Sequence, residues 1–105
     1  MVSGRLGISA PAANTNTTVY TAPAGMVATL NISLTNRGTE DAVVDIALAA
    51  TATPASAEFI EFGVKIPAKG VLERTAIVAG AGERVVVRAS TANVSVRVHG
   101  YEEGV

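Results

Sequence analysis

The chain has 105 residues, 49% of them apolar and only 16% charged, with a net charge of −1 and no cysteine. That is one domain's worth of chain, and it excludes disulfides and thiolate metal sites. With both signs scattered and only four aromatics (two Tyr, two Phe), there is no basic, stacking surface for nucleic acid.

No run of about 18 apolar residues is present, so no transmembrane helix and no membrane partner are expected. The first sixteen residues carry one Arg and no long apolar stretch, so no signal peptide is expected. The absence of cysteine fits a reducing cytoplasm. Low charge on so apolar a chain points to a surface partly covered by a neighbour.

Residues 1–18 read as an N-terminal arm or edge segment, with a short edge strand over Arg5–Ile8 and a Pro/Asn/Thr-rich stretch after it. Residues 19–105 read as a β-sandwich domain. Val19–Ala22 is a short strand, and Pro23-Ala24-Gly25 a tight turn in which Gly supplies the positive φ. Met26–Asn36 alternates without a break: Met26, Ala28, Leu30, Ile32 and Leu34 on one face, Thr29, Asn31, Ser33 and Thr35 on the other. Period two marks a strand with one face on a core. Ala42–Ala49 repeats the pattern, with Val44, Ile46 and Leu48 inward. Ala50–Ser56 is a loop broken by Pro54. Phe59–Ile66 places Ile60, Phe62, Val64 and Ile66 inward and Phe59, Glu61, Gly63 and Lys65 outward.

Val71–Val78 follows the turn at Pro67–Gly70, and its facing is open: either Leu72, Ala76 and Val78 or Val71 and Ile77 point inward. Arg84–Ala89 puts Val85 and Val87 inward. Val94–Tyr101 sets Val94, Val96, Val98 and Gly100 against Ser95, Arg97, His99 and Tyr101. The result is an all-β chain of seven or eight strands, spaced about every 10–12 residues. A single antiparallel β-sandwich is expected, jelly-roll or immunoglobulin-like.

The residues offer little chemistry. His99 is the one histidine, and a zinc site normally takes four His or Cys ligands. Glu40, Asp41 and Asp45 cluster at a strand start without the spacing of a calcium loop. Gly80-Ala81-Gly82 lacks the Lys-Ser/Thr and helix of a phosphate loop and reads as a hairpin turn. Glu102 and Glu103 are adjacent in a strand, so they point to opposite faces and cannot flank one bond. No catalytic, cofactor or metal residue is assigned, and no enzyme is expected. The three Asn-x-Ser/Thr matches, at Asn16, Asn31 and Asn93, carry no weight without a secretory route. The outward residues Phe59, Tyr101, Arg97 and His99 are the candidate interface, because exposed aromatics serve as hot spots or sugar platforms.

Several segments carry a resemblance. Thr18-Val19-Tyr20-Thr21-Ala22-Pro23-Ala24-Gly25 is similar to an "LYTVPAGK" opening, with Met26 in place of the Lys. Val27–Asn36 is similar to an "ATVNISVCNR" strand. Leu72-Glu73-Arg74-Thr75 followed by Ala81–Ser90 resembles an "L…GE.v.v.ss" pair, and Val94–Glu102 a "VSVRVxGxE" close. In this order, over roughly Thr18–Glu103, they resemble small β-sandwich virion proteins of tailed bacteriophages, of the decoration or cement kind. The resemblance implies a structural protein of the virion, assembled in the host bacterial cytoplasm. It implies a homo-oligomer, trimer favoured, that binds major capsid subunits or other virion proteins. The alternative it leaves is a tail or fibre accessory that binds a host surface glycan or another tail protein. Under the first reading the N-terminal arm clasps a neighbour.

Overall fold

The computed structural model describes residues 3–105; Met1 and Val2, the start of the expected arm, lie outside the described residues. Eight strands form two antiparallel sheets: β1 (Ser3–Ser9), β2 (Thr17–Thr21), β3 (Met26–Asn36), β4 (Ala42–Ala49), β5 (Phe59–Ile66), β6 (Val71–Ala79), β7 (Arg84–Ala89) and β8 (Val94–Gly104). One sheet has the order β1-β8-β3-β6 and the other β2-β7-β4-β5. The pairs β1·β8, β2·β7, β3·β6 and β4·β5 are nested, as if one long hairpin had folded over on itself. That is the jelly-roll arrangement of a double-sheet sandwich. The immunoglobulin-like alternative has a different strand order.

The core lies between the sheets. Ala28, Leu30, Ile32 and Leu34 of β3 meet Val44 and Ile46 of β4, Val85 and Val87 of β7, and Val94, Val96 and Val98 of β8. All are buried, and most are β-branched residues that suit a pleated surface. The inward stripes expected for β3, β4, β7 and β8 are found, except that Met26, at the start of β3, is half-buried and lies outside the core cluster.

Those four are the interior strands, and their pairings β3·β8 and β4·β7 run without a register shift. The four edge strands behave differently. Each carries at least one extra residue relative to its neighbour: around Leu6 in β1, Val19 in β2, Phe62-Gly63 and Ile60 in β5, and Thr75-Ala76 in β6. A bulge shifts the side-chain phase by one, because two residues oppose one partner.

Two facings follow from this. Phe62, expected inward, is 71% exposed: the bulge at Gly63 (φ 66°) turns it out while Ile60, Val64 and Ile66 stay against the core. The Asp45 carboxylate accepts the Gly63 N–H at 2.8 Å and holds the bulge. In β6, Leu72 and Ile77 face the core, and Val71 and Val78 are exposed. Ala76 takes a positive φ of 56°, and the Asn31 side-chain oxygen accepts its N–H at 3.2 Å. Neither unbroken phase describes β6, since the strand changes phase at its bulge.

Three further features shape the body. Ser3–Ser9, within the segment read as arm or edge, is edge strand β1, and Leu6 packs on the core. Ser56–Glu58, at the end of the β4–β5 connection, forms one turn of 3₁₀ helix. Asn36 is buried and donates to the carbonyls of Glu40 and Ile66, and its oxygen accepts the Gly38 N–H; one side chain thus ties the β3–β4 and β5–β6 turns together.

Candidate functional site

Three of the four expected interface residues stand together. Arg97, His99 and Tyr101 alternate along the outer face of β8, opposite Ser33, Asn31 and Thr29 of β3. The β3 residues supply only short polar side chains, so the face is flat and hydroxyl-rich. Gly100 draws β8 against β3 here: a Cβ at this position would lie 2.0 Å from the Thr29 carbonyl oxygen. Any other residue would push the strands apart between His99 and Tyr101.

Arg97 is exposed, and His99 is half-buried, with a shielded Nδ1 that has no hydrogen-bond partner among the described residues. Two shallow depressions flank β8. One, of about 540 Å³, runs past Ile8, Ser33, Thr35, Ser95 and Arg97. The other, of about 600 Å³, lies beside Ser3, Tyr101 and Glu103.

The fourth residue, Phe59, is on the far side of the molecule, on the outer face of the other sheet. It covers Ala47, Ala49 and Val86, three buried residues outside the main core. Its ring meets that of Phe62 edge to face, centroids 5.0 Å apart and planes at 75°. Ser56 completes a depression of about 370 Å³ over the pair. Reading β5 as one unbroken alternation hides Phe62 from this patch. The signal that exposes it is Gly63, since a lone glycine inside a strand pattern marks a bulge.

The loop beside the pair is held by Glu58. Its carboxylate accepts the Ala55 N–H at 2.8 Å and the Ala50 N–H at 2.9 Å. These two amides, Ala55 first, hold the Glu58 carboxyl below the usual carboxylate range.

The acidic cluster serves the fold. Asp45 caps the bulge at Gly63, and Asp41 faces Lys65 at 3.9 Å in an exposed pair. Among the described residues no three His, Cys, Asp or Glu side chains gather into a group able to hold a metal ion. No helix among them is long and apolar enough to cross a membrane. Glu102 points into the sandwich, away from His99 and Tyr101, and accepts a hydrogen bond from Tyr20. The outer face of β8 therefore offers hydrogen bonds, a guanidinium and an aromatic ring, which are the means of a binding surface.

The strand order places the chain in the class of eight-stranded jelly-roll sandwiches. Comparison with known proteins finds no family model, no curated protein and no solved structure that matches it.

Proposed function

We propose that this chain is a non-enzymatic structural component of a tailed-bacteriophage virion, a head-decoration protein that stabilises the shell by binding major capsid subunits. The observation that carries the reading is the jelly-roll strand order. Viral capsid domains use this architecture, and so do lectins and cupins. The support is therefore an analogy of fold, joined to the order of segments over Thr18–Glu103. A bulge in each edge strand adds to it. Bulged edges resist open-ended strand addition, so a protein of this kind meets its neighbours by faces and loops.

The second reading is a tail or fibre accessory that binds a host surface glycan. The Phe59–Phe62 pair favours it, because an exposed ring beside a hydroxyl can receive a sugar. The absence of Trp and the small number of aromatics favour the first.

The deciding experiment is quantitative mass spectrometry of purified virions, counting this chain against the major capsid protein. Hundreds of copies are expected for a decoration protein. A handful would move the protein to the tail and make the phenylalanine pair the surface to test. None would end the virion reading.

A further inference from the structure

The outer face of the β1-β8-β3-β6 sheet is self-complementary. Cross-strand rows run over it from β6 through β3 to β8. One row is Val78–Thr29–Tyr101; the next toward the far end is Asn31–His99, beside the Thr75-Ala76 bulge of β6; then come Glu73–Ser33–Arg97 and Val71–Thr35–Ser95. In the Ser33 row the acid and the base flank Ser33 on opposite sides. Neighbouring strands are about 4.8 Å apart, so Glu73 and Arg97 emerge roughly 10 Å from each other. Neither makes an ion pair among the described residues. Of the seven exposed large apolar residues among the described residues, four are on this face: Ile8, Val71, Val78 and Tyr101.

We infer that this face binds a second copy of the chain, through a twofold axis lying in the interface along β3. Such an axis exchanges the β6 and β8 sides of the sheet. It sets Arg97 of each copy opposite Glu73 of the other, and Tyr101 of each opposite Val78 of the other. One charge pair and one apolar contact are thereby each formed twice, as an isologous interface requires. Turned about an axis across the strands, the face loses this match, because the rows exchange and Arg97 no longer meets Glu73.

The size is sufficient. The molecule measures 43 × 27 × 19 Å, and its broad face can supply the roughly 800 Å² per partner of a standard interface. Two sheets stacked this way lie about 10 Å apart, a gap that Arg and Glu side chains span together. The bulged edges leave a face as the route to a partner.

The test is the mass of the intact chain in solution by light scattering and sedimentation over a wide range of concentration, for the natural sequence and for charge-reversed variants. A dimer is expected. Arg97→Glu alone and Glu73→Arg alone are each expected to weaken it roughly tenfold or more, and the double exchange Arg97→Glu with Glu73→Arg to restore it. Restoration requires that the two residues meet across copies. Tyr101→Ser, which leaves the charges alone, is expected to weaken the dimer as well, so the inference remains open to test should one reversal fail to fold. A monomer at every concentration, a trimer, or a dimer unmoved by these changes would overturn it. A trimer would leave the decoration reading standing, and a dimer is equally compatible with a head or a tail position, so the two proposals fail separately.

Discussion

The phenol of Tyr20 in β2 donates a 2.6 Å hydrogen bond to the Glu102 carboxylate in β8, inside the sandwich and across 82 residues of sequence. It joins the two sheets, since β2 and β8 belong to different ones. Both side chains are buried, Tyr20 to 7% and Glu102 to 6% exposure. Burial, then the hydrogen bond to Glu102 and its negative charge, raise the Tyr20 phenol well above its ordinary value.

Tyr20→Phe keeps the ring and removes the donor to a buried carboxylate. The expected loss is about 1–3 kcal/mol, read by denaturant unfolding. The pH dependence has a definite sign. The folded protein keeps the phenolic proton where the unfolded chain, near pH 10, releases it. This contribution is whole below the unfolded value and is lost as pH rises through the higher folded value. The thermal midpoint of the natural protein should therefore fall more steeply above about pH 10 than that of Tyr20→Phe. Parallel curves would place the alkaline sensitivity elsewhere.

Glu58 works in the opposite direction. Its folded value is lowered by the Ala55 and Ala50 amides, so its contribution is present above the unfolded value and is lost as pH falls through the lower folded one. Protonation frees both amides. Glu58→Gln should raise hydrogen exchange at Ala50 and Ala55 near neutral pH and reduce the acid dependence of exchange there. Unchanged protection in the variant would mean the loop is held by other contacts.

The facing of β5 can be tested against β3 and β4. Leu30 and Ile46 are fully buried, and truncation of either to Ala should cost about 2–5 kcal/mol. Phe62→Ala removes a larger side chain and should cost less than about 1 kcal/mol, because the ring stands in solvent. Equal losses at all three sites would return Phe62 to the core.

Two backbone positions make opposite predictions. Ala76 holds a left-handed φ that an L side chain resists, so Ala76→Gly should gain up to about 1 kcal/mol. Gly100 has φ 150° and no room for a Cβ beside Thr29, so Gly100→Ala should lose about 2–4 kcal/mol through strain and overpacking. Thermal midpoints that move in the same direction would contradict the bulge at Ala76 or the close approach at Gly100.

The alternation of the interior strands was legible in the residues. Ala28 to Leu34 and Val94 to Val98 alternate without a break because β3 and β8 pair in unbroken register and each shows one face to the core. Arg97, His99 and Tyr101 could be placed on one outer face for the same reason, with no knowledge of the neighbours. A period of two is a property of the single strand, so it survives in the sequence.

What lay beyond it depends on pairing. Phe62 and the two halves of β6 face as they do because of bulges, and a bulge exists only relative to a partner strand. Phe59 and Tyr101 share an outward phase, yet the strand order puts them on opposite faces of the molecule. The Tyr20–Glu102 contact and the match of Glu73 with Arg97 about Ser33 likewise arise only once distant strands are side by side. Local alternation determined which residues of the interior strands face the core between the sheets; the order, register and bulges of the sheets, which rest on contacts far apart in the chain, decided which outward residues stand together and which, like Ala47, Ala49 and Val86 under Phe59, are covered.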